Sequence, residues 1–184
     1  ISINGTDIND ELDYRFHNNG EELEVLIEQN GEQTIYEIEK EPHDDMGLIV
    51  EEMKMRKCGN RCIFCFVHQS PKGLRKPLYF KDEDFRFSFL HGHYVTLTNT
   101  SQKDLERIVE QQLSPLYVSV HVTELELRKH MLGINFDDRL LEKLEFLTSN
   151  GIELQTQIVL CPGINDGYIL DQTIADLKKF YPKI

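Results

Sequence analysis

The second half of the chain alternates short apolar runs with amphipathic stretches, and this alternation restricts the fold more than any other feature. Apolar runs at 93–99, 115–122 and 154–160 predict strands. Amphipathic segments predict helices at 101–112, 123–131, 137–151 and 165–180. Capping-box spacings predict the starts of the first two, through Ser101 with Asp104 and Thr123 with Glu126. Strands that alternate with helices are typical of βαβ units around a parallel sheet. We therefore predict an α/β domain, cut short because so few strands cannot complete a covered sheet.

The first 45 residues differ, because they predict a small β-rich module. The pair Asn30-Gly31 suits a two-residue type I′ turn, which needs positive φ at both positions. The resulting hairpin places apolar side chains on one face of both strands. Its predicted cross-strand pairs are Leu23 with Ile38, Val25 with Tyr36 and Ile27 with Thr34. The stretch EKEPHDDMG at 39–47 predicts a linker.

Composition narrows the classes of partner. The chain of 184 residues carries a net charge of −12, which argues against nucleic-acid binding through a globally basic surface. No apolar run reaches the roughly 18–20 residues of a membrane span, and the first residues lack the pattern of a signal peptide. We expect a cytoplasmic protein without a membrane span, whose true N-terminus lies upstream of Ile1.

Three of the four cysteines, Cys58, Cys62 and Cys65, cluster in one short stretch. A disulfide framework is typical of small secreted domains, which this charged α/β pattern does not resemble. Zinc could be bound if His68 were the fourth ligand, although structural zinc sites usually draw ligand pairs from separated segments. Three thiolates could also hold a [4Fe-4S] cluster and leave one iron open to a substrate or cofactor. The spacing alone leaves these alternatives open.

The segment CGNRCIFC at 58–65 resembles the Cys-x3-Cys-x2-Cys motif of the radical S-adenosylmethionine (SAM) superfamily, including the aromatic Phe64 before the third cysteine. In that superfamily the methionine part of SAM chelates the open iron, and an electron from the reduced cluster cleaves SAM to methionine and a 5′-deoxyadenosyl radical. The resemblance implies a [4Fe-4S] cluster and SAM as cofactors, and an electron donor such as flavodoxin or ferredoxin. It also implies a partial (β/α) TIM-like barrel, with the cluster loop following the first barrel strand, here GLIVEEMKMRK at 47–57.

A narrower resemblance extends over essentially the whole chain. The segments ISINGTDI at 1–8, 58–99, LSPLYVSVHVT at 113–123 and QIVLCPGIND at 157–166 resemble the DUF512 family of PDZ-linked radical SAM proteins. This implies an N-terminally incomplete PDZ-like module over 1–45, which could recruit a protein partner, and a C-terminally incomplete radical SAM barrel over 46–184. The family's substrate is not established, so the resemblance implies a chemistry and no product.

Further SAM contacts follow from the resemblance. Radical SAM barrels usually carry a Gly-Gly-Glu-like segment that binds the methionine amino group, and LTNTS at 97–101 occupies that place without those glycines. Thr98 and Asn99 are the candidates for this contact. The alternative is that the segment only caps the next helix.

Polar residues on the predicted strands supply the remaining candidates. Ser119 and His121 share one strand face, and Gln157 lies on the following strand, so in a barrel they could meet SAM or substrate. His121 and Cys161 are candidates for a catalytic role, although a hydrogen-bonded structural histidine and an inert buried thiol are the ordinary alternatives.

The sequence thus favours a radical SAM enzyme that abstracts hydrogen from an unknown substrate. The alternative is a non-catalytic module, stabilised by a metal or cluster, with a PDZ-like part that recruits a partner.

Overall fold

The computed structural model describes residues 1–184, which form two compact units, Ile1–Lys54 and Met55–Ile184. Both contain helices and strands, so the mixed α/β class is confirmed. The assignment of 1–45 to a PDZ-like module and of 46–184 to a radical SAM barrel stays a prediction.

The first unit is a four-stranded antiparallel sheet with one helix. The strands lie in the order β2-β1-β3-β4. The elements are β1 (Ser2–Ile3), β2 (Thr6–Asp7), α1 (Glu11–His17), β3 (Glu22–Gln29) and β4 (Glu32–Glu39).

The hairpin of β3 and β4 has the predicted register, with Leu23 opposite Ile38 and Val25 opposite Tyr36. Its turn has positive φ at Asn30 and at Gly31, as the type I′ turn requires. Burial differs from the expectation. Leu23 and Val25 are buried, whereas Tyr36 is 50% exposed, because β4 forms the edge of the sheet.

The second unit begins with irregular chain and continues as alternating helices and strands. Its helices are α2 (Phe66–Gln69), α3 (Phe85–His91), α4 (Gln102–Glu110), α5 (Leu125–Leu132), α6 (Leu140–Ser149) and α7 (Tyr168–Leu177), with 3₁₀ turns at Lys76–Tyr79 and Lys178–Phe180. Its strands are β5 (Leu116–Ser119) and β6 (Leu154–Gln157), paired in parallel. None of the helices in either unit has the length and apolar character that a membrane crossing requires.

The parallel sheet is smaller than predicted. The expected strand at 93–99 is reduced to one parallel bridge between Val95 and Val118. Val95 bonds to β5 through both its N–H and its carbonyl, and the next residue that would face β5, Leu97, takes a left-handed conformation with φ of 62°, which ends the pairing. The Thr96 N–H points away from β5 and donates to the Glu83 carboxylate at 2.6 Å. The segment at 47–56 forms no strand. A TIM-like barrel therefore stays a prediction.

Helix starts were predictable in part. The capping box of Ser101 and Asp104 is confirmed at the start of α4. The expected capping box of Thr123 was wrong: Glu124 caps α5, and the Thr123 hydroxyl donates to Asp176 instead. Helix α3 was missed, although Asp84 at its N-cap is a usual signal.

A buried arginine, paired with an aspartate, connects two neighbouring segments of the second unit through their backbone carbonyls. Arg128 of α5 is 1% exposed and binds both oxygens of Asp138. The same guanidinium donates to the carbonyls of Val120 and Thr96. Arg128 therefore fixes the chain just after β5 beside the segment that follows the Val95 bridge.

Candidate functional site

One cavity of about 470 Å³ in the second unit brings together seven of the ten candidate residues of the expected radical SAM site. They are Cys58, Cys62, Phe64, Cys65, Ser119, His121 and Gln157. The rest of its lining is Phe66, Val67, Phe80, Lys81, Asp82, His93, Tyr94, Thr96 and Val159. Two other cavities, of about 520 and 550 Å³, contain no cysteine or histidine, and one of about 320 Å³ contains Cys58 and His68 but not the other cysteines. The cavity that all three clustered cysteines share is therefore the candidate site.

The cysteine loop is held by its backbone. The Arg61 N–H donates to the Leu132 carbonyl and the Ile63 N–H to the Met131 carbonyl, at 2.9 and 3.0 Å. Both acceptors lie at the C-terminal end of α5, where helical carbonyls have no partner within the helix. Cys65 closes the loop as the N-cap of α2. The loop is therefore positioned without any use of the thiols, which stay half-buried on the cavity.

Gly133 allows this docking. It caps α5 in the left-handed conformation, with φ of 62°. A Cβ at this position would lie 2.5 Å from the Arg61 carbonyl oxygen, which is closer than van der Waals contact permits. Glycine is thus required both by the backbone conformation and by the approach of the cysteine loop. The sequence analysis did not single out Gly133.

Burial raises the pKa of the Cys62 thiol to about 11, and the neighbouring Cys58 and Cys65 contribute to that rise. Burial also raises the pKa of Cys58, with a contribution from the charge of Glu83. Without a metal both thiols are protonated at neutral pH, so a bound metal must displace their protons. Because Cys58 and Cys65 both contribute to the raised pKa of Cys62, the three thiols lie close enough to interact electrostatically.

The structure also tests how a metal would fit. No group of three or more His, Cys, Asp and Glu side chains converges on a point where a single ion could be held. His68, the fourth ligand of the zinc alternative, instead lies with its Nε2 3.2 Å from the Lys81 amine. In an iron–sulfur cluster each thiolate binds a different iron, so the sulfurs need not meet at one point. Three thiolates around one cavity fit that donor set.

Thr98 and Asn99 lie outside the cavity lining. The Thr98 hydroxyl donates to Asn60 Oδ1 at 3.0 Å, and the Asn99 amide donates to the Glu83 carbonyl at 2.9 Å. Asn60, which is buried in the cysteine loop, also donates to the Thr96 hydroxyl. These bonds tie the loop to the segment that carries the two candidates, and the side chains are already engaged within the protein.

Glu83 was missed by the sequence analysis. It is 3% exposed, and its Oε1 accepts from both the N–H and the hydroxyl of Thr96. Burial raises the pKa of its carboxyl, and the bonds from Thr96 act in the opposite direction. It lies in the run Asp82-Glu83-Asp84, where one acidic residue cannot be distinguished from its neighbours until their burial is known.

His121 follows β5 in a left-handed conformation, with φ of 62°. The N–H groups of Val120 and His121 both point to the carbonyl of Gln157, so the pairing with β6 ends in a distortion of the strand. The imidazole Nδ1 accepts from the Val159 N–H at 3.1 Å. Its ring lies 4.5 Å from that of Phe64, so the histidine touches the cysteine loop. Burial, together with the charge of Arg128, lowers the pKa of His121 to about 3, so the ring is neutral.

Cys161 lies outside the cavity lining. Its N–H donates to Asn165 Oδ1 at 2.7 Å, and its thiol is 3.9 Å from the Val159 carbonyl. Asn165 is fully buried and also donates to the carbonyls of His121 and Val159. The sequence did not single out Asn165, which holds this strand end together.

Charged groups that the sequence analysis did not consider complete the lining. His93 Nδ1 lies 2.6 Å from the Asp82 carboxylate, and Lys81 donates to the Asn60 carbonyl. The cavity therefore combines thiols, neutral polar groups and both signs of charge.

The comparisons agree with this arrangement. The family model of the Radical SAM-like domain matches residues 40–184, which include the three clustered cysteines and every other lining residue of the cavity. No curated protein and no solved structure matches the chain. Because the match covers most of its length, the chain belongs to the family of radical SAM-like domains.

Proposed function

We propose that this chain is the core of a radical SAM enzyme of the DUF512 type, in which Cys58, Cys62 and Cys65 hold a [4Fe-4S] cluster. The observation that carries the proposal is the single cavity that these three thiols share with the polar ends of β5 and β6. Active sites of parallel α/β folds lie at the carboxyl ends of strands, which is where this cavity lies. Family membership supports the same chemistry.

When bound, the reduced cluster supplies one electron that cleaves SAM to methionine and a 5′-deoxyadenosyl radical, which takes a hydrogen atom from the substrate. The electron comes from a donor such as flavodoxin or ferredoxin. The residues of the protein hold the cysteine loop in place and shield the site from water. The α5 carbonyls fix the cysteine loop, while Phe64 and Val67 supply apolar surface that would keep water from a radical.

The residues proposed to contact SAM differ in their support. Phe64, Ser119 and Gln157 line the cavity and need no rearrangement to meet a ligand there. Thr98 and Asn99 would first have to exchange their bonds within the protein. A catalytic role for Cys161 would likewise need the strand end at Asn165 to move. We therefore favour the lining residues.

The DUF512 assignment adds a PDZ-like module over 1–45 and a protein partner that it would recruit. The antiparallel sheet and single helix of the first unit are compatible with such a module. We propose no substrate from the resemblance, because its chemistry defines a reaction type only.

The test is reconstitution of the chain with iron and sulfide without oxygen, followed by reduction. We expect an electron paramagnetic resonance signal of a reduced [4Fe-4S] cluster that shifts when SAM is added, together with 5′-deoxyadenosine. Cys58→Ser should lower the iron content and abolish both results. Cys161→Ser is the matched control and should keep the iron content and the shift, because this thiol lies off the cavity.

Two outcomes would refute the proposal. One is a protein that binds zinc and no cluster, and the other is a cluster whose spectrum does not respond to SAM and that yields no 5′-deoxyadenosine. Either outcome would favour the non-catalytic binding module.

A further inference from the structure

Two polar side chains at the end of β5 keep hydrogen-bonding groups open to the cavity. Ser119 is 6% exposed and His121 is 3% exposed, and both line it. Neither the Ser119 hydroxyl nor His121 Nε2 has a hydrogen-bond partner in the protein, yet neither is among the fully buried polar atoms without a partner. The small exposed area of each side chain must therefore include these atoms, and the cavity is the space that they meet. Buried polar groups normally have partners, so these two are available to a ligand.

The hydrogen bond from Val159 sets what His121 can offer. Because Nδ1 accepts the Val159 N–H, the proton of the neutral ring is on Nε2. Nε2 is then a donor and cannot accept. The ring contact with Phe64 and the hydrogen bond at Nδ1 hold the ring in place.

The charged groups near these two side chains are already engaged within the protein, so the two open donors themselves decide which ligand atom can bind. Arg128 lies next to the chain at the end of β5, where it donates to the carbonyl of Val120, and it is paired with Asp138. Its positive charge opposes a second positive charge on His121. Apart from the cysteine loop, His121 itself and the Tyr94 phenol, the cavity lining contains three ionisable side chains. They are Lys81 and the pair formed by Asp82 and His93.

We propose that Ser119 and His121 together bind an oxygen acceptor of the ligand in this cavity, with His121 as a fixed Nε2–H donor and not as a proton carrier or a metal ligand. The proposal rests on the proposed function, because the radical SAM reaction supplies the ligands. Two sources of the oxygen fit this chemistry: a ribose hydroxyl of SAM, and a carboxylate of the substrate.

The first test is the tautomer, which does not depend on a cluster. In the ¹⁵N spectrum of the full metal-free chain with labelled histidine, the signals of His121 are assigned by their loss in His121→Asn. We expect the neutral Nε2–H form throughout pH 5 to 8. The Nδ1–H form, or protonation of the ring within this range, would overturn the proposal.

The second test compares two substitutions at this position. In His121→Asn the residue tolerates positive φ and its oxygen can accept the Val159 N–H, but no donor reaches the cavity. In His121→Gln the amide extends about as far as Nε2. Ser119→Ala removes the neighbouring hydroxyl without a change of backbone conformation.

Binding to the reconstituted protein is measured by calorimetry with SAM, and with acetate as a carboxylate probe. We expect His121→Asn to weaken one probe about tenfold, with partial recovery in His121→Gln and a smaller loss in Ser119→Ala. Weaker SAM binding assigns the oxygen to the nucleoside, and weaker acetate binding alone assigns it to the substrate. Unchanged binding of both probes would overturn the proposal. If the wild-type protein assembles no cluster, the proposed function is refuted instead. The tautomer of His121 is then still tested by the ¹⁵N spectrum of the metal-free chain.

Discussion

The two units of this protein are built by different rules. In the first, two of the three strand pairs, β1 with β2 and β3 with β4, join neighbours in sequence through short turns, so most of the sheet follows from local signals such as Asn30-Gly31. In the second, the cavity draws its lining from separate segments, which include the cysteine loop and the ends of both parallel strands. We therefore expect substitutions in the first unit to lower stability only locally. Single substitutions in the second unit should affect both the fold and the candidate site.

The largest effect is expected for Arg128→Ala. The substitution leaves Asp138 as an unpaired buried charge and removes donors from the carbonyls of Val120 and Thr96. Loss of one partner from a buried ion pair costs about 3–5 kcal/mol. The free energy of unfolding in urea measures this cost.

The matched control for Arg128 is Arg15→Ala in the first unit. Arg15 pairs with Glu11 one helical turn away, and both side chains are exposed. We expect a loss of less than about 0.5 kcal/mol. Similar losses from both substitutions would remove the proposed contrast between the two units.

A somewhat smaller effect is expected for Gly133→Ala. The added Cβ would collide with the Arg61 carbonyl and also meets an unfavourable φ. Together these terms cost about 2–5 kcal/mol and displace the cysteine loop, so iron content after reconstitution should fall.

Gly163→Ala is the control for Gly133→Ala. Gly163 has φ of 75°, but no atom lies within 4 Å of the position that a Cβ would take, so only the backbone cost of about 1–2 kcal/mol is expected. If both substitutions lowered iron content equally, the close approach at Gly133 would not be the cause.

Gly31→Ala probes the first unit. Gly31 has φ of 82° at an open turn, so the expected loss of stability is about 1–2 kcal/mol, without an effect on iron content. Denaturation and iron analysis of the same preparation measure both quantities. A fall in iron content would show that the hairpin influences the cysteine loop.

The smallest effect concerns Glu83→Gln and depends on pH. The pKa of Glu83 is raised above 4.5 by burial, so its stabilising contribution is present below the unfolded pKa and is lost as pH rises through the folded pKa. Glutamine can still accept from Thr96 but does not titrate. We expect the stability of the variant relative to wild type to increase across this window, measured by urea unfolding of the metal-free chain. If the free energy of unfolding depended on pH in the same way for both proteins, the raised pKa of Glu83 would be contradicted.

What could be predicted from the sequence follows the same division. The hairpin register was predictable because one turn of fixed length determines every cross-strand pair. The cysteine loop was recognisable from its resemblance to the radical SAM motif, since its spacing alone left several alternatives open. The expected strand at 93–99 was wrong over most of its length, because Leu97 takes a left-handed conformation just after Val95 and Glu83 captures the Thr96 N–H that points away from β5. Sequence patterns cannot reveal such a capture, since it depends on which side chain packs against that backbone.

The roles of Asn60, Gly133 and Asn165 were hidden for a related reason. Each is an ordinary loop or cap residue in sequence, and its importance comes from the backbone that approaches it in the fold. The polar strand ends were easier to find, because alternation along a strand assigns Ser119 and His121 to one face.

If the proposed radical reaction takes place in this cavity, helix α5 has a consequence for it. Its last carbonyls hold the cysteine loop, and its Arg128 holds the ends of the chain beside β5. The same helix thus sets the spacing between the cysteine loop, where the radical would form, and the end of β5, where its target would bind. A thermal movement of this helix would displace both sides together, so the distance over which the hydrogen atom is transferred would change little while the surrounding loops fluctuate.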